Sequence, residues 1–89
     1  MAVSKLRVAG KSSVKAVAGS IVKSFEEGNE VEVHAIGASA TNQSVKAIAM
    51  ARGFMSTKGY DLYVAPGFST TTMIDGEEKT SIRFVLKLI

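Results

Sequence analysis

The run "VKAVAGSIVKSFEEG", Val14 to Gly28, constrains the fold more than any other part of the chain. Val14, Val17, Ala18, Ile21, Val22 and Phe25 fall at i, i+3, i+4, i+7, i+8 and i+11, one apolar stripe along an α-helix. A helix apolar on one side must lay that side on another element. Ser12 or Ser13 is placed to cap its start, and Gly28 stands where a left-handed residue would end it. Alternating runs lie on either side of it. In "SKLRVAG" Leu6 and Val8 share one face and Lys5 and Arg7 the other, and "EVEVHAIG" repeats the pattern up to Gly37. A period of two marks a half-buried strand, so the first half of the chain reads strand, helix, strand.

The second half continues the alternation of elements. A second helix is expected from about Ala40 to Gly53, capped by Ser39 or Thr41. Val45 and Ile48 mark one side of it, whereas Ala47, Met50 and Phe54 mark the opposite one. A helix apolar on two sides is either enclosed in a fold or packed on a second chain, and in so small a domain the second is expected. "YDLYVAPGF" reads as a third strand ended by Pro66-Gly67. "TTTMIDGEEKTSIRFVLKLI" reads as a hairpin turning at Asp75-Gly76. In its last strand Ile82, Phe84, Leu86 and Leu88 face one way, and Arg83 and Lys87 the other. The expected fold is a two-layer α/β sandwich of order β-α-β-α-β-β, with both helices on one face of a four-stranded mixed sheet.

Eighty-nine residues, 46% of them hydrophobic and 21% charged, fit a single domain spanning 1–89. A chain of this size buries only about 60–65% of its unfolded surface, so association with a second copy would add stability. There is no cysteine, which removes disulfides and thiolate metal sites and fits a reducing cytoplasm. "MAVSKLRVAGKSS" has no apolar stretch of the secretory type, and no segment nears the roughly 20 apolar residues of a membrane span. The lone histidine, His34, lies mid-strand beside Glu32 and Ile36 on its alternating face. With one histidine and no cysteine, neither the usual catalytic triads nor a zinc site can be assembled within one chain. A non-enzymatic protein without cofactor or metal is expected.

Net charge is +3 and the isoelectric point about 9.4, which suits an acidic partner without requiring one. "VAGKSS" lacks the upstream glycine and spacing of a nucleotide-hydrolysing loop. Lys11, Ser12 and Ser13 nevertheless precede a helix start, where free backbone N–H groups favour an anion. "GASATN" precedes a second one. If the first two strands run parallel, both helix starts open at the same edge of the sheet. Lys11 and Lys15 near one, and Lys46 a turn into the other, would then form one anion-binding rim. Asn42 and Lys46 share a helix face, with Gln43 one position round, and such groups hydrogen-bond phosphate and sugar oxygens. The loops hold no aromatic series for stacking single strands.

"VAGKSSVKAVAGSI", "AIGASATNQSVKAIAMARGF" and "MIDGEEKTSIRF" together closely resemble the stage V sporulation protein S family over essentially the whole chain. That family is cytoplasmic, linked to endospore formation, and similar to the Alba superfamily of dimeric DNA- and RNA-binding proteins. The resemblance implies the Alba-like order β-α-β-α-β-β, a lysine after the first strand, matched by Lys11, a glycine-started polar or basic segment opening the second helix, matched by Gly37, Asn42 and Lys46, and dimerisation through the second helix and last two strands. Ala47, Met50, Phe54, Phe84 and Leu86 are the interface residues this implies, in a homodimer or homotetramer. One feature departs from the superfamily: its hairpins are often basic, whereas this one carries Asp75, Glu77 and Glu78. Carboxylates repel phosphate, so no hairpin contact to nucleic acid is expected. The expected function is electrostatic, sequence-independent binding of DNA or RNA phosphates by Lys11, Ser12, Ser13, Lys15, Asn42, Gln43 and Lys46. Two rivals remain open: a protein-interaction module using the acidic hairpin from Asp75 to Glu78, and a small-anion sensor using the rim. Arg52 has no assigned place.

Overall fold

The computed structural model describes residues 2–89, and of residues 70–74 the backbone. Its elements run β1 (Val3–Val8), α1 (Val14–Glu26), β2 (Glu30–Ala35), α2 (Ala38–Ser56), β3 (Leu62–Ile74) and β4 (Glu77–Leu88). The sheet order is β1-β2-β4-β3. β1 and β2 are parallel, Val3 pairing with Glu30 and Val8 with Ala35. β4 runs antiparallel to both β2 and β3, which makes the sheet mixed. The β-α-β-α-β-β order and the four-stranded mixed sheet are those read from the sequence.

α1 follows its stripe. Ala18 and Ile21 are buried, and Val14, Val17, Val22 and Phe25 pack against the core. Ser13 is the N-cap, its hydroxyl accepting from the Ala16 N–H at 3.2 Å. At the other end Gly28 adopts φ +82°, its N–H bonding the Phe25 carbonyl and the Asn29 N–H that of Ser24. This is the paired closure that a left-handed residue permits just past a helix.

α2 differs from expectation at both ends and along its face. It begins at Ala38, two residues early, and its N-cap is Gly37 rather than Ser39 or Thr41. No side chain caps it. Its buried stripe is Ala40, Ser44, Ala47, Ile48, Ala51 and Met55, with the Ser44 hydroxyl bonded back to the Ala40 carbonyl at 2.8 Å. Small side chains let this helix lie close to α1 and the sheet. Ala47, Phe84 and Leu86, expected at an interface, are buried in the core of the single chain. The core also takes Val8, Val31, Val33 and Leu62 from the sheet.

β3 is also longer than expected, because Pro66-Gly67 does not end it. Pro66 pairs with Phe84 within a continuous ladder that shifts register between Phe68 and Thr71. A proline is tolerated here because β3 is the edge strand, with one side free of partners. β2 pairs with β4 only from Ile82 to Leu86. Before Ile82, β4 and its β3 partner leave the sheet as a two-stranded arm. Asp75 (φ +51°) and Gly76 (φ +77°) turn it, as expected.

Gly37 has φ +92° and ψ 162°, a conformation essentially reserved for glycine. A Cβ there would meet no atom within 4 Å, so Gly37→Ala reads backbone strain alone. The expected cost is about 1–3 kcal/mol, seen as a lower midpoint in thermal or urea unfolding. Gly53→Ala inside α2, also with open space at its Cβ, is expected to stabilise by up to about 1 kcal/mol. Equal effects at the two glycines would refute the strain argument.

Candidate nucleic-acid interface

Each of the first two strands is followed by a helix, and the strands are parallel. Both helix starts therefore open at the same edge of the sheet. Two contacts hold them together. Gly10 passes so close to the start of α2 that a Cβ on it would lie 2.9 Å from Ser39 Cβ. The Gln43 side chain reaches back and donates Nε2–H to the Ser12 carbonyl at 3.0 Å. The residues expected to share a rim are thus neighbours.

They divide by what they already do. The Ser12 hydroxyl accepts from the Ala9 N–H at 2.9 Å, closing the turn after β1. The Ser13 hydroxyl caps α1. Gln43 braces one loop against the other. These three shape the rim, whereas Lys11, Lys15, Asn42 and Lys46 are exposed. None of the three lysines makes an ion pair among the described residues. Neither helix has an acidic residue in its first turn. With Gly37 as its cap, α2 presents its first N–H groups without a side-chain partner. The rim is a cationic edge with two helix starts in it, suited to oxyanions.

A family model for stage V sporulation protein S matches residues 4–89. The chain belongs to that family. Membership ties it to sporulation, and the match covers the rim, both helices and the hairpin together.

Other features of this family member fall away from the rim. Asp75, Glu77 and Glu78 are exposed at the tip of the arm, where Glu77 pairs with Lys79 at 3.0 Å. Met50 and Phe54, each 48% exposed, lie on the flank of α2 that Gln43 turns toward α1. Lys58, bonded to Glu26 of α1, sits over the Phe54 ring at 5.1 Å. Arg52 now has a place: its Nε donates to the Leu62 carbonyl at 3.2 Å, and Asp61 lies 3.8 Å from its guanidinium. It ties the end of α2 to the start of β3. Val45, seven residues before it, shares that flank and is 52% exposed. Val64 (42%) and Phe68 (79%) are exposed on the helix side of β3, in register with Leu86 and Ile82. The sequence reading missed this apolar seam, because Val64 and Phe68 lie in a run read only as a third strand, with no face assigned to either residue.

His34 lies on the open face of the sheet, its Nε2 3.0 Å from Glu32 Oε1. Among the described residues no group of acidic, histidine or cysteine side chains is placed to hold a metal. No described helix is long and apolar enough to cross a membrane.

Proposed function

We propose that this protein is a non-enzymatic, cytoplasmic, Alba-like regulator of sporulation that binds DNA or RNA as a homodimer or larger homo-oligomer. The observation that carries this reading is the pairing of the two helix starts, which sets the Lys11 and Lys15 segment beside the start of α2, with Lys46 about two turns further along that helix and none of the three in an ion pair among the described residues. Lys11, Lys15 and Lys46 contact phosphates, and Asn42 and the free N–H groups of α2 add hydrogen bonds. Such contacts fix position on a nucleic acid without reading its bases. Dimers form along the Val45, Val64 and Phe68 seam, which places two rims in one particle. The acidic arm does not touch nucleic acid.

A salt titration of binding to labelled duplex DNA, single-stranded DNA and RNA tests this. Affinity should fall linearly in log–log form as salt rises, with a slope near 0.9 per phosphate contacted on a duplex. Absence of binding to all three probes at low salt overturns the reading. It would favour the interaction module, whose supporting observation is the exposed carboxylates on a projecting arm.

A further inference from the structure

The open face of the sheet, opposite the helices, carries charge in an ordered way. Arg7 on β1 pairs in register with His34 on β2, and His34 with Arg83 on β4. Strands lie about 4.8 Å apart, so the two arginines stand about 10 Å apart at the backbone with the imidazole between them. Lys5 lies two residues before Arg7 on the same face. The row forms the floor of a trough of about 790 Å³. The Ala9–Gly10 turn bounds one side, and Ser69 and Ser81 at the base of the arm bound the other. That volume falls in the range of small-ligand sites, roughly 300–1,000 Å³.

The charges in the trough are only partly balanced. Glu32, its one carboxylate, contacts His34 and stands in register with Lys5, which leaves Arg7 and Arg83 without a counter-charge of their own. Among the described residues, Lys5, Arg7 and Arg83 make no ion pair and no side-chain hydrogen bond. Two guanidiniums without an ion-pair partner among the described residues flank one cavity. Each is a planar fork that matches two oxygens of a phosphoryl group, and Lys5 adds a point charge.

We propose that the trough binds a small soluble ligand carrying two or more phosphoryl groups, of the size of a nucleoside di- or triphosphate. Arg7 and Arg83 take the phosphoryl oxygens from the two sides, and the Glu32 contact holds the His34 ring between them. This site is separate from the helix-start rim and does not depend on nucleic-acid binding there.

Calorimetry with inorganic pyrophosphate and with adenosine triphosphate tests it, alongside amide shifts at Gly10, Ser69 and Ser81. Both ligands should bind, and Arg7→Ala or Arg83→Ala should each weaken binding at least tenfold. Arg7→Lys, which keeps the charge and loses the fork, should fall between the unaltered protein and Arg7→Ala. Lys87→Ala, on the same face outside the trough, and the Lys11→Ala/Lys46→Ala pair should leave binding intact. Four outcomes overturn the proposal. Neither ligand binds at millimolar concentration, or all cation removals weaken binding alike. A single-stranded oligonucleotide, but not pyrophosphate, depends on Arg7 and Arg83. Or the two arginine variants change only the oligomeric state, which would assign the trough to the acidic arm of a second copy.

Discussion

Phe68→Glu should turn the dimer into a monomer. Light scattering of the unaltered protein at tens of micromolar should give about twice the 9.4 kDa chain mass, and the variant should give the chain mass. Phe68 is 79% exposed, so in the lone chain the substitution removes little packing and changes stability by about 0.5 kcal/mol or less. Any large effect must come from association. In a two-fold dimer the residue enters the interface twice. At about 2 kcal/mol for each buried aromatic anchor, the dissociation constant rises on the order of a thousandfold. Val64→Glu, in the same seam, should act in the same direction. Met50→Glu on the α1 flank should not. A wild-type protein already monomeric at these concentrations would refute the seam, as would dimers that survive both β3 substitutions and dissociate with Met50→Glu.

What drew attention to Met50 and Phe54 is what hydropathy can show on α2. Four of its six buried side chains are alanine or serine, and these barely register as an apolar face. Val45, Met50 and Phe54 are the conspicuous residues, and all three are half-exposed. The periodicity of α1 was legible because Ile21, Val22 and Phe25 are both large and inward. The start of α2 was misread for a related reason. Serine and threonine are the usual caps, but here the chain needs positive φ at the turn, which selects Gly37 over Ser39. Pro66 misled in the same way. It ends a central strand, and a sequence does not announce which strand is at the edge.

The candidate edge was legible to the extent that it follows from connectivity. Two parallel strands each followed by a helix put "KSS" and "GASATN" together without any knowledge of side-chain positions. Which members of the rim are free was not legible. Gln43 and Ser12 meet across 31 positions of sequence, and nothing local distinguishes a bracing amide from a ligand-binding one. The trough was hidden by register. Alternation showed that Lys5, Arg7, His34 and Arg83 point away from the core, but only pairing aligns Arg7, His34 and Arg83 in a single row.

The division of the rim into shaping and contacting residues leads to the second large effect. Lys11→Ala combined with Lys46→Ala should lower the log–log salt slope of duplex binding by about two units. Between 50 and 200 mM salt, each phosphate-binding lysine accounts for about a 3.5-fold fall in affinity, so removing the pair should flatten the curve by roughly tenfold. Both side chains are exposed and unpaired, and the unfolding midpoint should move little. Gln43→Ala should behave in the opposite way. It deletes the bond to the Ser12 carbonyl, so stability falls by about 0.5–1.5 kcal/mol while the salt slope stays near its original value. Affinity would drop at every salt concentration by a similar factor, because the lysines remain but the two helix starts are no longer held in one orientation. A slope unchanged in the double lysine variant would exclude the rim as the phosphate-contacting edge. A slope reduced equally by Gln43→Ala would mean that the brace itself touches the nucleic acid.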